Sequence, residues 1–242
     1  MNRMFEKMKI RLFLPLFLLS GGMIWAQGKS NVILPSDNVI TNYLAETKEY
    51  AALYNGKTEV PYEFLFTNHP YLETNGYVSG TICYNHVVYK NVLMRFDLYR
   101  NEITVVAPNT PNRIVLNNEK FSYAVLNGTT IIKSVDEKTS KTKLLVLLHD
   151  GIYPVVKKHN LRMMEESNSL DRVLRRSFDI QKQYAVKIDG KLYPVKNKNS
   201  ILKLFPDRKK ELNEYAKLHK LNFSKQTEQS IIALVEYYEK IK

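Results

Sequence analysis

His149 and Asp150 are adjacent in the sequence and suggest catalysis, because an imidazole beside a carboxylate can transfer protons. They lie in LHDGIYPVV, and a similar stretch, IDGKLYPV, follows later with Asp189 in the place of Asp150 and no histidine before it. Asp-Gly between apolar runs is typical of a tight hairpin turn, since both turn positions must adopt a positive φ. We therefore interpret His149 as a strand-end residue beside a turn at Asp150-Gly151, without a catalytic role.

The other potentially reactive residues form no recognisable constellation. The five histidines include no zinc-binding pair, and Cys83 with His86 supplies only one C-x-x-H spacing. Phosphate-binding loops, dinucleotide-binding glycine motifs and the G-x-S-x-G elbow are absent from the sequence. Asp97 lies between Arg95 and Arg100, which we interpret as surface ion pairing. We predict no catalytic residue, no metal site and no cofactor.

Two polar segments are the candidates for a recognition site. The first is the loop FTNHPYL, which combines turn-forming residues with an imidazole and a phenol: Asn68, His69, Pro70 and Tyr71. A rigid turn whose histidine bonds to backbone carbonyls is the alternative for this loop. The second is residues 159–183, a polar insertion that we predict to be a mobile loop or a short helix. Its candidate basic residues are Arg162, Arg172, Arg175 and Arg176.

The elements that must position these residues are mainly strands. Residues 62–135 contain short alternating apolar and polar runs, and Asn127-Gly128 and Asp189-Gly190 are typical of hairpin turns. Further turns are predicted at Asn85-His86, Lys90-Asn91 and Arg100-Asn101. The 16 tyrosines suit sheet surfaces, where a ring packs while its hydroxyl meets water.

The last part of the chain, residues 198–242, has helical periodicity instead. Apolar residues recur there at intervals of three and four, as in Leu212, Tyr215, Ala216 and His219. Such narrow apolar stripes must pack on one another or on the sheet. The sequence therefore predicts an α+β fold: a mainly antiparallel β-sheet or meander, or a barrel-like closure of it, followed by C-terminal α-helices.

The first 26 residues have the composition of an export signal. Four basic residues precede the apolar stretch LFLPLFLLSGGMIWA, which is too short and too broken for a comfortable membrane span. We predict a signal peptide at residues 1–26, a lead-in that is helical in part at 27–52, a β-rich domain at 53–197 and a helical segment at 198–242. A retained N-terminal anchor is the alternative. We expect the mature protein in the periplasm or outside the cell, without a transmembrane segment.

The chain is strongly basic, with a formal net charge of +12. Outside the inner membrane the available polyanions are acidic glycans, cell-wall polymers and anionic lipids, so no nucleic acid is expected as a partner. Solvation of the surface by Lys and Arg is the plainer interpretation, since the charges form no long block of one sign. Binding of the basic C-terminal helices to a membrane surface is a further alternative, which Glu211 and Glu214 weaken.

Two long stretches carry a resemblance to a known group of proteins. The stretch from LYNGKTEVPYEFLF to NEITVV and the ending from YPVKNKNSILKLF to ALVEYYE resemble secreted hypothetical proteins of Bacteroidota. The resemblance spans most of the chain after the signal and implies export and a layout of strands followed by helices. It implies no activity and no catalytic residue.

These observations predict an exported cell-envelope protein that binds or scaffolds without catalysis, with another envelope protein or an anionic glycan as its partner. The alternative is a hydrolase whose carboxylates and histidines are assembled by folding. A deep pocket containing at least two of a set of five residues would favour that alternative: His69, His86, His149, Asp97 and Glu63.

Overall fold

The computed structural model describes residues 52–135, 140–167 and 174–242. The predicted signal peptide, the lead-in as far as residue 51 and Arg172 lie outside the described residues. The described residues form a mainly antiparallel β-sheet followed by helices, so the predicted α+β fold is confirmed.

The described strands form one open sheet of 12 strands, rather than the barrel-like closure. They are β1 Lys57–Thr58, β2 Leu65–Phe66, β3 Val78–Tyr84, β4 Val87–Asp97, β5 Glu102–Val106, β6 Arg113–Val115, β7 Phe121–Leu126, β8 Thr129–Val135, β9 Thr142–His149, β10 Val155–Ser167, β11 Leu174–Ile188 and β12 Lys191–Val195. The order across the sheet is β1-β6-β5-β4-β3-β7-β8-β9-β10-β11-β12, with antiparallel neighbours. β2 lies off this path and runs parallel to β11.

Three helices follow the sheet: α1 Lys198–Leu204, α2 Lys209–Leu218 and α3 Thr227–Ile241. Short 3₁₀ turns occupy Ala52–Tyr54 and Pro206–Arg208. α1 begins with a capping box, in which the Asn197 side chain accepts from the Ser200 N–H and Ser200 Oγ accepts from the Asn197 N–H.

Two apolar clusters hold the layers together. The first is built from β3 to β9 and includes fully buried side chains such as Ile82, Met94, Ile103 and Phe121. The second joins β10, β11 and β12 to the helices through residues that include Val155, Val186, Leu212, Ile231 and Leu234. The apolar stripes of α2 and α3 are therefore used inside the fold. Burial of each such side chain is worth about 1.5–3 kcal/mol.

Four of the predicted turns are confirmed, each between two neighbouring strands: Asn85-His86, Arg100-Asn101, Asn127-Gly128 and Asp189-Gly190. In three of them both residues have a positive φ, as a tight hairpin turn requires, and in the fourth Asn101 has one. The prediction at Lys90-Asn91 is wrong. These residues lie inside β4, where Asn91 has a φ of 56° and the register with β3 shifts, so the asparagine marks a bulge.

The tight turn predicted at Asp150-Gly151 is also wrong. Neither residue has a positive φ. Residues 150–154 form a longer connection, across which β9 and β10 still pair in antiparallel fashion. A side chain at Gly151 would collide with His149 and Glu239, so contact with α3 shapes this connection more than local turn preference does.

The described part of this segment, residues 159–167 and 174–183, forms two long strands, so the prediction of a mobile loop or a short helix is wrong there. They belong to β10 and β11, which pair continuously along a hairpin that we call the long hairpin. The sequence of these strands lacks a clear alternation of apolar and polar residues, because charged and apolar side chains are mixed on both partly exposed faces. Residues 168–173, between the two strands, lie outside the described residues.

Asp97 is buried in the sheet rather than ion-paired at the surface, so that interpretation is wrong. Its side chain accepts hydrogen bonds from Tyr62 Oη at 2.7 Å and from the N–H groups of Tyr99 and Arg100, each at 2.9 Å. Burial raises the pKa of Asp97 above its ordinary value, although these hydrogen bonds act in the opposite direction. The carboxylate therefore anchors the turn between β4 and β5.

Candidate functional site

The candidate site lies on one face of the long hairpin. Side chains alternate between the two faces of a strand, so Lys157, His159 and Leu161 of β10 point the same way. Their partners on β11 are Tyr184, Lys182 and Ile180. We call this the inner face, because Leu161 packs against the buried cluster of the sheet.

An aromatic cluster covers the part of the inner face farther from the helices. Phe178 is 2% exposed, and its ring centroid lies 5.1 Å from that of Phe66, 5.2 Å from Tyr99 and 6.3 Å from Tyr62. The Asn68 side chain binds both backbone groups of Phe178, since Nδ2 donates to the carbonyl at 2.8 Å and Oδ1 accepts from the N–H at 2.7 Å. These contacts hold the segment before β3 against the hairpin.

Helix α3 covers the other end of the inner face. Lys157 Nζ lies 3.0 Å from Glu228 Oε2 in a salt bridge. Tyr184, directly opposite Lys157, interacts with the same carboxylate, and burial followed by Glu228 raises the pKa of the tyrosine above its ordinary value. The Glu228 carboxylate of α3 is therefore partly neutralised by Lys157 of the long hairpin.

Between the aromatic cluster and α3 the inner face remains open as a groove with a volume of about 610 Å³. Its polar walls come from five separate parts of the chain: His69, Glu73, Thr129, His159, Lys182 and Glu228. Leu98, Ile180 and Ile232 form apolar patches between them. The volume lies within the range of roughly 300–1,000 Å³ that is typical of ligand pockets.

The electrostatics of the groove centre on His159. Burial, and then the positive charges of Lys157 and Lys182, lower the pKa of His159 to about 4, while Glu228 acts in the opposite direction. The imidazole is therefore neutral at neutral pH. Lys182 has no ion pair among the described residues, whereas Lys157 is paired with Glu228. An anion bound here could accept hydrogen bonds from the Lys182 ammonium and from the neutral His159 ring.

The predicted recognition loop lines the groove, but most of its contacts hold the fold together. Pro70 is buried, and its carbonyl accepts from the Leu98 N–H at 2.9 Å. Tyr71 is 9% exposed, and the Arg95 guanidinium lies 3.7 Å from its ring centroid. His69 stacks on Tyr71, and its buried Nδ1 has no hydrogen-bond partner among the described residues. The recognition role of Asn68, His69 and Tyr71, which all line the groove, stays a prediction.

The three predicted basic residues that the structure describes lie on strands and outside the groove. Arg162 is on β10, and Arg175 and Arg176 are on β11. Arg176 Nη2 donates to Glu165 Oε1 at 2.8 Å, and its guanidinium lies 4.0 Å from the ring centroid of Phe64. None of these three arginines lines the groove, so they do not form one basic site with Lys182.

His149 lies at the end of β9, as predicted, and also contacts two carboxylates of α3. Its Nε2 is 2.9 Å from Glu239 Oε2, and its Nδ1 is 3.5 Å from Glu236 Oε1. The other oxygen of Glu239 accepts from the Tyr153 N–H at 2.7 Å. The carboxylates meet opposite sides of the ring, so the three groups do not converge on one point. In the part of the chain that the structure describes, no group of three His, Cys, Asp or Glu residues could hold a metal ion.

His159, Lys182 and Glu228 are three groove residues that the sequence did not single out. Pairing within residues 159–183 would have placed His159 opposite Lys182, but the polar composition concealed that pairing. Glu228 is 71 residues from Lys157 along the chain, and no local pattern connects them. The groove was therefore visible only after the hairpin and α3 had been placed together.

A second hollow, of about 550 Å³, lies beside β4 and β5. Its lining is mostly apolar side chains and loop residues, with Lys90 as its single charged member. Because it brings together no set of polar groups comparable with that of the groove, we place the candidate site in the groove.

The fold and the site together define an α+β protein with a polar groove on the inner face of a long hairpin. Comparisons with protein-family models, with curated proteins and with solved structures found no match to this chain. The resemblance to secreted proteins of Bacteroidota therefore stays a prediction. Among the described residues, no helix has both the length and the apolar character needed to cross a membrane.

Proposed function

We propose that the protein is a non-enzymatic binding protein that holds an anionic glycan in the groove. The observation that carries this proposal is the position of Lys182, which has no ion pair among the described residues, directly opposite the neutral His159. A carboxylate, sulfate or phosphate group on a sugar would accept hydrogen bonds from the Lys182 ammonium and from the imidazole N–H. Hydrogen bonds of this charge-assisted kind are the stronger ones in proteins.

The rest of the groove suits a sugar ring. Glu73, which accepts from Thr129 Oγ1 at 2.6 Å, and Glu228 place carboxylate oxygens in the walls, where sugar hydroxyl groups can donate to them. Leu98 and Ile180 supply apolar surface for the C–H face of a ring. A purely apolar ligand would leave these polar groups without partners, which costs binding free energy.

Export supports a ligand of the cell envelope. The predicted signal peptide would deliver the protein to the periplasm or the outside of the cell, where acidic glycans are the abundant soluble polyanions. Removal of the predicted signal peptide takes away four basic residues and one acid, and the remaining net charge of +9 favours association with such polymers. Both the export and the location in an envelope belong to the proposal.

The two alternatives have less support. The groove contains one of the five residues that would favour a hydrolase, His69, while His149 contacts α3 and Asp97 anchors a turn. A membrane-surface role would need exposed apolar helix faces, but Leu212 of α2 and Leu234 of α3 are fully buried.

Binding of an acidic oligosaccharide would test the proposal. We expect the protein to bind oligogalacturonate in calorimetry and to bind a neutral galactose oligomer of the same length much more weakly. Lys182→Ala should weaken the binding of oligogalacturonate about tenfold or more, because a charge-assisted contact is lost. Added salt should weaken the binding of the wild type, and do so less for the variant.

Lys191→Ala is the matched control, since Lys191 is an exposed strand lysine outside the groove. This variant should bind as the wild type does. Equal affinity for the neutral oligomer, equal losses for the two variants, or release of shorter sugars on incubation would each contradict the proposal.

A further inference from the structure

Beyond Lys157, β10 has a strand on one side only among the described residues. β9 pairs with β10 from Val155 to Lys157, and no described strand continues that ladder toward Ser167. β11 accompanies β10 along its whole length on the other side. β10 therefore presents a sheet edge from His159 onward, and a sheet edge offers backbone N–H and C=O groups to another strand.

The register shows which residues of β10 direct their backbone groups to this edge. In an antiparallel ladder, successive residues bond alternately to one side and to the other. The Lys187 N–H donates to the Pro154 carbonyl, so odd-numbered residues of β11 bond to even-numbered residues of β10. The odd-numbered residues of β10 therefore face the open edge, among them His159, Leu161 and Met163, and no described residue bonds to the backbone groups of these three.

Three other stretches of strand edge are closed by side chains or by proline. Asn68 binds the backbone of β11 on its far edge. Asn101 closes the edge of β9, where its Nδ2 donates to the Thr142 carbonyl and its Oδ1 accepts from the Leu144 N–H. The last strand, β12, contains Pro194, which has no N–H to offer. Proteins usually block exposed sheet edges, whereas no described residue blocks the edge of β10 from His159 to Met163.

We propose that this edge binds an extended acidic segment of another protein, which adds to the sheet beside β10. The backbone groups of alternate residues recur about every 7 Å along a strand, a spacing that another strand matches and a helix does not. Lys158 and Arg162 lie on the outer face beside the edge and have no ion pair among the described residues. Asp179, opposite Arg162, accepts from Gln181.

Lys158 and Arg162 indicate which charge the partner segment should carry. An incoming strand would place alternate side chains on the outer face, near Lys158 and Arg162, where acidic residues are favoured across strands. Its other side chains would lie beside Leu161 and Met163, where apolar residues are favoured. The partner segment should therefore alternate acidic and apolar residues. This inference does not depend on the proposed function of the groove.

A synthetic peptide that alternates Glu and Val is the probe for this edge. We expect a fluorescently labelled form to bind the full-length protein, and the amides of Leu161 and Met163 to become protected from hydrogen exchange. Met163→Pro should weaken binding about tenfold or more, because it removes an N–H that faces the incoming strand. Met163→Ala, which keeps that N–H, should bind within about threefold of the wild type. Both variants should keep the wild-type thermal midpoint to within a few degrees, since this N–H does not bond to β11.

Changes to the peptide test the same contact without changing the protein. N-methylation of alternate peptide bonds, or replacement of Glu by Lys, should abolish binding. Failure of the original peptide to bind, equal binding of the methylated peptide, or equal binding of the two Met163 variants would each overturn the proposal. Peptide-independent dimerisation that Met163→Pro prevents would also overturn it, since the occupant would then be a second copy of the chain.

Discussion

The imidazole of His159 shows how the surroundings of one residue set its charge. It lies among two lysines and one glutamate on the inner face of the long hairpin, partly removed from water. Removal from water and the nearby positive charges both disfavour the protonated ring, so its pKa falls to about 4. The groove consequently presents a neutral hydrogen-bonding group beside Lys182 at neutral pH.

We expect His159→Gln to remove part of the acid sensitivity of the fold. The imidazole binds a proton near pH 6.5 in the unfolded chain and near pH 4 in the fold. Between these values the unfolded state binds more protons, so the stability that depends on the neutral ring is complete above pH 6.5 and is lost as the pH falls toward 4. After allowance for solvent screening of a partly exposed ring, the loss should be about 1–2 kcal/mol.

Urea unfolding of the wild type and His159→Gln at neutral pH and at about pH 4.5 measures this contribution. Carboxylates titrate in both proteins, so the difference between their pH dependences isolates the histidine. An identical decrease in the free energy of unfolding for both proteins would show that the fold does not hold His159 neutral.

At the scale of elements, a single carboxylate joins the β9–β10 connection to α3. Glu239 contacts His149 through one oxygen and the Tyr153 N–H through the other. Glu236, one turn earlier on α3, reaches His149 only at 3.5 Å, and its side chain is 45% exposed. The two acids therefore make a matched pair in which one is an anchor and the other is peripheral.

We expect Glu239→Ala to lower the free energy of unfolding by about 1–3 kcal/mol, because it leaves a partly buried N–H and an imidazole without their acceptor. Glu236→Ala should lower it by less than about 0.5 kcal/mol, as is usual for an exposed pair. Urea titrations followed by circular dichroism give both values. Losses of the same size for the two variants would mean that Glu239 does not anchor the connection.

Two buried clusters share one sheet at the scale of the whole molecule. β9 supplies Leu144 to the first cluster, and Leu148 of the same strand packs against the second. A strand that belongs to both clusters cannot lose its place in one without disturbing the other. The described fold should therefore behave as one cooperative unit.

Substitution in each cluster tests this cooperativity. Ile131→Ala in the first cluster and Leu234→Ala in the second each truncate a fully buried side chain and should cost about 2–5 kcal/mol. We expect both variants to retain a single thermal transition at a lower midpoint. A separate early transition in Leu234→Ala alone, seen by calorimetry, would show that the helices unfold independently of the sheet.

The sequence by itself determined the features that depend on neighbouring residues. Asn127-Gly128 and Asp189-Gly190 specify tight turns because few residues tolerate a positive φ, and helical periodicity marks residues 198–242 because one turn brings close residues together. Where a distant contact overrode the local preference, as at Gly151 against α3, the prediction was wrong. The long hairpin was not predicted either, because β10 and β11 are rich in polar residues. Their inner face is covered by residues distant in the sequence, such as Phe66, which packs on Phe178.

The tertiary structure alone decided the groove and the open edge. Strand pairing places Lys182 opposite His159. Glu228 of α3 and His69 of the loop before β3 line the same groove. The edge of β10 exists because β9 leaves the ladder after three residue pairs, which depends on what packs beside both strands. Such placements follow from the burial of two apolar clusters over the whole chain, and no short stretch of sequence contains that information.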